Sequence, residues 1–255
     1  MRPDLVQIHH ADYQEDIPFW ISLVSDRDPV LEVGCGHGRV TLPLVESGCR
    51  VVGVDLDPNA LAYLRESLND PSAQARGRII LTEADILDYR SEESFGAVIV
   101  PCNTISTFPP ARRIALIQKA HALLREGGLF AASMPNPVLM FAQLAELEGE
   151  SEPGDPEWES SFTLPGSGFP VEVSSRISPV VGDPTALRWE WIYDQLSPDG
   201  GVKREIVSTV HFPAAPDSYV DEMSATGLRS IVLLGDFDSS EYRENSPYLI
   251  VIGEK

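Results

Sequence analysis

The residues best suited to do chemistry in this chain begin with VLEVGCGHGRV, residues 30 to 40. There Gly34, Gly36 and Gly38 alternate directly behind an apolar run and before a run that can start a helix. A strand ending in a glycine-rich turn lets a ligand approach bare backbone, and the helix that follows offers unpaired N–H groups. Nucleotide cofactors use that geometry. The dinucleotide fingerprint is spaced GxGxxG, its third glycine permitting close helix packing under a pyrophosphate. Here the spacing is GxGxG, and Arg39 fills the fourth slot. The next apolar run ends in Asp55, about 20 residues after the glycines, where a carboxylate can accept both hydroxyls of a ribose. The run after that leads into Asp85 and Ile86, an acid and an aliphatic residue suited to an adenine amino group and ring face. A plain tight turn also uses glycines, and an acid at a strand end also caps a turn. The order of the three features on successive strands therefore carries the reading, rather than any one of them.

Other reactive side chains are sparse. His211, beside Phe212 at the end of a late apolar run, is the histidine best placed by topology to face an acceptor, with a purely structural role as its alternative. His9 and His10 fall in a segment expected to be mobile, and His37 is expected to contact only the glycine loop. Cys35, Cys49 and Cys102 have no short paired spacing, so neither a zinc site nor a disulfide framework is expected, and the setting expected is reducing and cytoplasmic. Nineteen basic against 39 acidic residues give a net charge of −20, which repels polyphosphate and makes nucleic acid a poor partner. The start, MRPDLVQIHHADYQ, has no signal-like run, and no later stretch approaches the roughly 18 apolar residues that cross a bilayer, so a soluble, unanchored protein is expected.

The elements that must position these residues alternate. Val- and Ile-rich runs at 29–34, 50–55, 77–85, 95–101 and 127–135 are separated by helical stretches at 39–47, 58–68 and 109–124, the pattern of βαβ units around a parallel sheet buried on both faces. The helix at 58 opens on Asp57 as N-cap and Pro58, with Leu61, Leu64 and Leu68 at helical spacing. The one at 109 carries Ile114, Ile117, Ala120 and Leu124 on one stripe and is predicted to stop at Gly127 and Gly128. DIPFWISLV, upstream, reads as a covering helix. A helix begun by VLMFAQLAELEGE is broken by Pro153, Gly154, Asp155 and Pro156. The period then changes to two across FPVEVSSRISPV, ALRWEWIYDQL and VKREIVSTVHF, with SPDGG as a turn, which predicts an antiparallel meander of three or four strands. A helix over 216–226, stopped by Gly227, and two final strands complete the chain.

Taken together these motifs resemble a class I S-adenosylmethionine-dependent methyltransferase. VLEVGCGHGRV is similar to that family's first motif, VVGVDLDPNAL to its second, ADILDY to its third and FGAVIVPCNTISTF to its fourth. ALLREGGLFAASMPNP resembles the approach to its fifth strand. The meander and the ending GDFDSSEYRENSPYLIVIGEK resemble the bacterial small-molecule branch that includes amino-sugar N-methyltransferases and glycine N-methyltransferase-like enzymes. The resemblance implies a Rossmann-like doubly wound α/β sheet, mostly parallel with the last strand antiparallel, and an inserted antiparallel β lid. It divides the chain into a cofactor-binding core, 1–136 with 213–255, and an inserted meander, 137–212. It also implies roles: Gly34, Cys35 and Gly36 facing the methionine part of S-adenosylmethionine, Glu32 behind that loop and orienting it, Asp55 on the ribose and Leu56 on the adenine. Asp85 and Ile86 would frame the adenine from the other side, and Pro101, Cys102 and Asn103 would complete the methionine end. Tyr13 resembles an aromatic that closes over the cofactor, with an ordinary surface or core tyrosine as the equal alternative.

Two departures bear on the acceptor. The loop after the fourth strand reads NTISTF, with Thr107, where many amino-sugar methyltransferases carry a histidine, which counts against an amino sugar. The Pro-Pro-aromatic signature of nucleic-acid amino methyltransferases is missing after Asn103, in agreement with the charge. The acceptor expected is a small molecule carrying an amine or a hydroxyl. An amine needs only to be bound deprotonated, whereas a hydroxyl profits from a base such as His211. Trp189, Trp191 and Tyr193 share one face of the meander, which suits sheet packing, a homodimer contact or a substrate platform. A non-catalytic cofactor-binding scaffold and a nicotinamide oxidoreductase are the rival readings. The missing third glycine of the dinucleotide spacing counts against the second.

Overall fold

The computed structural model describes residues 5–68, 77–146 and 154–255. In chain order the elements are α1 (Leu5–His10), α2 (Ile17–Val24), β1 (Val30–Val33), α3 (Thr41–Glu46), β2 (Val51–Asp55), α4 (Pro58–Ser67), β3 (Ile79–Glu83) and β4 (Phe95–Val100). A 3-10 turn (Thr104–Thr107) leads to α5 (Pro110–Leu123), β5 (Leu124–Pro135) and α6 (Pro137–Glu146). Then come β6 (Glu157–Thr163), β7 (Pro170–Val180), β8 (Asp183–Leu196), β9 (Val202–His211), α7 (Pro216–Ala225), β10 (Arg229–Leu234) and β11 (Tyr248–Glu254). The chain divides into two compact units, Glu15–Leu139 with Ala214–Lys255, and Met1–Gln14 with Met140–Pro213.

The first unit is built on a seven-stranded sheet of order β10-β11-β5-β4-β1-β2-β3. β1, β2, β3, β4 and β5 pair in parallel, while β11, the last strand, runs antiparallel to both β5 and β10. Every residue of β1 and of β4 is buried, as continuous apolar runs in a sheet covered on both faces should be. α4 starts as its sequence dictates: Asp57 accepts the Asn59 N–H at 2.8 Å, Pro58 follows, and Leu61 and Leu64 are fully buried. In α5 the buried stripe is Arg113, Leu116, Ile117 and Ala120, and Ile114, placed on it by sequence, is exposed. The helix also ends at Leu123 rather than at the glycines. Gly127 and Gly128 lie inside β5, where the Gly127 N–H donates to the Lys255 carbonyl and the Lys255 N–H to the Gly128 carbonyl. Pairing with the far end of the chain overrides the local stop signal.

The second unit holds an antiparallel sheet of order β6-β7-β8-β9, four strands where three or four were expected. Its turn at 197–201 closes through a Ser197 N–H to Gly201 carbonyl bond of 2.9 Å. The sheet's aromatic face is packed. Val171, Val173 and the fully buried Tyr193 cluster with Leu5 of α1, and Leu187 and Trp189 with Met140 and Leu144 of α6. Burial of that face against α1 explains why the first helix belongs to this unit, although sequence reasoning grouped residues 5–14 with the parallel sheet. Of the breaker cluster after α6, Pro153 lies outside the described residues, as do 147–150. Among the described residues no helix is long and apolar enough to cross a membrane.

Candidate functional site

β1 and β4 are neighbours, yet the sheet grows from β1 through β2 to β3 and from β4 through β5 on the other side. Ligands of open α/β sheets bind in the crevice beyond the carboxyl ends at such a switch point. Two loops flank it, residues 34–40 after β1 and 101–109 after β4.

The three glycines of the first loop do different work. Gly34, at φ +73°, donates its N–H to the Val54 carbonyl at 2.8 Å, and a Cβ there would come within 2.7 Å of Thr104. It lets the two loops touch. A Cβ on Gly38, at φ +88°, would collide with Leu64 of α4, so this glycine permits helix packing, the task the dinucleotide spacing gives to a glycine one position later. Gly36, at φ +51°, is the one with space before it: its Cβ would meet only Asp55 Oδ2, at 4.0 Å. Its N–H donates to that same oxygen at 2.7 Å, and Asp55 Oδ1 accepts the Asp57 N–H at 2.8 Å. The carboxylate is thereby aimed, and each oxygen keeps a second acceptor site. Leu56, beside it, is 67% exposed, an unusual state for a leucine at a core strand's end. Bare backbone, an aimed carboxylate and an exposed apolar side chain fit an adenosine-containing cofactor.

The remaining predicted positions are less uniform. The Cys35 side chain turns away into a cluster with Leu61 and Leu64, where burial raises its thiol far above the ordinary value, so only its backbone is presented to the loop. Asp85 Oδ1 accepts the Leu87 N–H at 3.0 Å and Oδ2 pairs with Arg112. The Leu87 amide first, and then Arg112, hold the carboxyl below its usual range against its desolvation. Ile86 is 5% exposed and belongs to the buried core cluster that includes Val33 and Val54, so its side chain is part of the core. Glu32, 2% exposed, accepts the Thr41 hydroxyl at 2.6 Å; burial pushes its carboxyl up to about 8, with Thr41 and Arg39 opposing. Its bond to Thr41 holds the start of α3, the helix that the loop feeds.

After β4, Pro101 is buried, and Cys102 (φ +56°) and Asn103 (φ +63°) both adopt left-handed backbone. That conformation costs about 1–2 kcal/mol per non-glycine residue and gathers at functional sites. The Asn103 N–H to Ser133 carbonyl bond (3.2 Å) and the Ser106 hydroxyl to Asn103 carbonyl bond (2.7 Å) hold it.

Sequence reasoning missed one feature of this loop pair. Asp16, 1% exposed, accepts both Arg39 guanidinium nitrogens, at 2.6 and 2.8 Å, and the Trp20 indole N–H at 3.1 Å, while Arg39 also donates to the Cys102 sulfur. Asp16 stands at the start of α2, yet its carboxylate makes no capping bond. Its only signal was Arg39, the cation directly after the third glycine.

Tyr13 and His211 belong to the other unit. Tyr13 is partly buried and donates its N–H to the His10 carbonyl at 3.2 Å. His211, expected to face an acceptor, is 3% exposed, paired with Leu187 and tilted against Trp189; burial pushes its pKa down to about 4. His9 and His10 are the last two residues of α1. His9 Nδ1 and the Tyr193 hydroxyl are 3.1 Å apart, His9 Nε2 lies 3.5 Å from Glu159, and His10 packs edge-on to Trp191. His37 packs on Tyr63. Among the described residues no cluster of histidine, cysteine or carboxylates could hold a metal.

The family of methyltransferase domains matches residues 30–128, the stretch from β1 into β5. Ribosomal RNA small subunit methyltransferase A of Rubrobacter xylanophilus is 29% identical over 81% of this chain and 69% of its own length. Carboxy-S-adenosyl-L-methionine synthase of Chromohalobacter salexigens is 34% identical over 51% of this chain, which spans about half (50%) of that relative's length. Among solved structures, the CcbJ methyltransferase of Streptomyces caelestis has a TM-score of 0.74 at 22% identity, covering 96% of this chain and 89% of its own. The sugar N-methyltransferase KedS8 of Streptoalloteichus has a TM-score of 0.72 at 17% identity, covering 100% and 94%. The match to the methyltransferase-domain family thus runs through the switch-point crevice, and the fold around it is one that solved methyltransferases share.

Proposed function

We propose that the protein transfers a methyl group from S-adenosylmethionine to an amine of a small neutral or cationic metabolite, with a hydroxyl as the alternative acceptor. The observation that carries the cofactor side is Gly36: open space before it, its N–H on Asp55, and exposed Leu56 alongside. In this reading the backbone of Gly34, Cys35 and Gly36 and of Pro101, Cys102 and Asn103 holds the methionine end. Asp55 accepts the ribose hydroxyls, Leu56 supports the adenine face, and Asp85 with the Ile86 backbone borders its amino edge. Glu32 acts on the loop through Thr41. Tyr13 is kept as the candidate aromatic cover.

A bound sulfonium supplies an electrophilic methyl, so the protein's own task is to align the acceptor and keep water away. An amine bound deprotonated needs no base. His211 favours the amine, because a base whose burial holds it near 4 takes up a proton poorly at neutral pH. The charge of −20 opposes RNA, the substrate in the name of the Rubrobacter relative, and no membrane partner is proposed. The sugar N-methyltransferase neighbour supports a small-molecule amine, while Thr107 in place of a histidine keeps the sugar itself out of the proposal. The meander is the proposed acceptor-selecting element and candidate homodimer surface.

The test is transfer of labelled methyl from S-adenosylmethionine to a panel of small amines, amino sugars and alcohols, with small-subunit ribosomal RNA in parallel. Turnover on small amines is expected. Robust labelling of the RNA, with none of any small molecule, would overturn the acceptor class.

A further inference from the structure

We infer that Arg39 is a positioning residue for the methionine end of the cofactor: through Asp16 and Cys102 it ties the covering helix α2 and the loop after β4 to the glycine loop. The inference rests on the cofactor reading above and adds to it a residue that the reading does not use.

The geometry is specific. Arg39 follows Gly38 directly, so its backbone belongs to the first loop of the crevice. Its two terminal nitrogens fork onto the two oxygens of Asp16, the residue before α2, at 2.6 and 2.8 Å. The same guanidinium reaches the sulfur of Cys102, the first of the two left-handed residues of the second loop. Asp16 is fixed in turn by the Trp20 indole N–H, and Trp20 is fully buried. One planar cation thus sets the spacing of three chain segments. The loops have a second meeting point where Thr104 lies against Gly34, so the crevice between β1 and β4 is bounded by two fixed distances.

A buried ion pair is a weak source of stability, because removing both charges from water offsets most of their attraction, and apolar residues of similar size often serve the fold as well. Such a pair earns its place more readily by fixing geometry. A forked guanidinium does this better than an ammonium, since its donors are held in a plane. The consequence is separable from folding: without Arg39 the loop bearing Cys102 and Asn103 loses a tether, and ligand groups gripped by that loop lose affinity, while groups gripped at Asp55 and Leu56 do not.

The experiment is calorimetric binding of S-adenosylhomocysteine and of 5′-methylthioadenosine, which lacks the amino-acid arm, to the full chain, to Arg39→Met and to the double variant Asp16→Leu/Arg39→Met, with thermal unfolding of each. Arg39→Met is expected to unfold at lower temperature, because it strands the Asp16 carboxylate, and the double variant to recover most of that loss. Both variants are expected to bind S-adenosylhomocysteine at least tenfold more weakly than the parent, but 5′-methylthioadenosine within about threefold. If the double variant recovers S-adenosylhomocysteine affinity together with its melting temperature, the role is structural only and the inference fails. Equal losses for both ligands would also overturn it. A parent chain that binds neither ligand would instead overturn the cofactor reading itself.

Discussion

The two units of this chain spend their unusual residues in opposite ways. In the parallel-sheet unit the irregular features face outward from the strand ends: Gly36 with room before it, Leu56 exposed, Cys102 and Asn103 left-handed, Asp55 aimed by two amides. In the meander unit the residues that looked reactive are turned inward: Tyr193 and His211 are buried, His9 is shared between Tyr193 and Glu159, and Trp189 stacks on Trp191. Strain and exposure with no packing purpose mark a ligand site, whereas aromatic and histidine residues at sheet spacing mark a core. The cofactor half of the proposed function accordingly rests on local motifs. The acceptor half does not.

The comparison breaks most severely if the aromatic stripe serves the ligand. Tyr193→Ala should cost roughly 3–5 kcal/mol of stability, as large aromatic truncations in cores do, and leave S-adenosylhomocysteine affinity within twofold for the protein that remains folded. Chemical denaturation with calorimetry checks both, and an affinity loss above tenfold would make the stripe functional.

Glycines sharpen the contrast inside the first unit. Gly38→Ala meets Leu64 and left-handed backbone together, so a stability loss of about 2–4 kcal/mol is expected. Gly36→Ala has open space and should lose only about 1 kcal/mol from backbone strain, yet bind cofactor at least a hundredfold more weakly. Matching stability and affinity losses in the two variants would mean that Gly36 is merely a turn residue.

Asp55→Ala is expected to weaken S-adenosylmethionine binding at least tenfold, since charge-assisted hydrogen bonds are worth about 1.5–3 kcal/mol each. Calorimetry showing equal affinity for variant and parent would remove Asp55 from the ribose.

Proton linkage separates the units by sign. His211 has its pKa lowered from 6.5 to about 4, so the folded state disfavours its protonated form: the stability it contributes is complete above pH 6.5 and is lost as pH falls toward 4, by roughly 3 kcal/mol. Glu32 has its pKa raised from 4.5 to about 8, so its contribution is complete below pH 4.5 and is lost as pH rises toward 8. Unfolding followed from pH 4 to 8 should show the acid-side loss disappear in His211→Leu and the alkaline-side loss disappear in Glu32→Gln. Unchanged profiles would contradict both burials.

The legibility of the sequence follows the range of the forces involved. Strands β1, β2 and β4 and the start of α4 were readable because continuous apolar runs and an Asp-Pro cap are local causes. Gly127 and Gly128 were misread because the C-terminal strand, more than a hundred residues on, recruits them into β5. α1 went unseen because LVQIHH has no cap or periodicity of its own and forms where Leu5 meets Val171, Val173 and Tyr193. The partners of the site residues, Asp16 for Arg39, Arg112 for Asp85 and Thr104 for Gly34, were hidden for the same reason: each pairing joins segments that only the fold brings together.

The central claim is that the cofactor sits at the switch-point crevice of the parallel sheet. Backbone amide NMR of the full chain, titrated with S-adenosylhomocysteine, tests it most directly. The account predicts saturable shifts concentrated on residues 34–38, 55–57, 85–87 and 102–104. No shifts at all, or the largest shifts on β6 to β9, would contradict it.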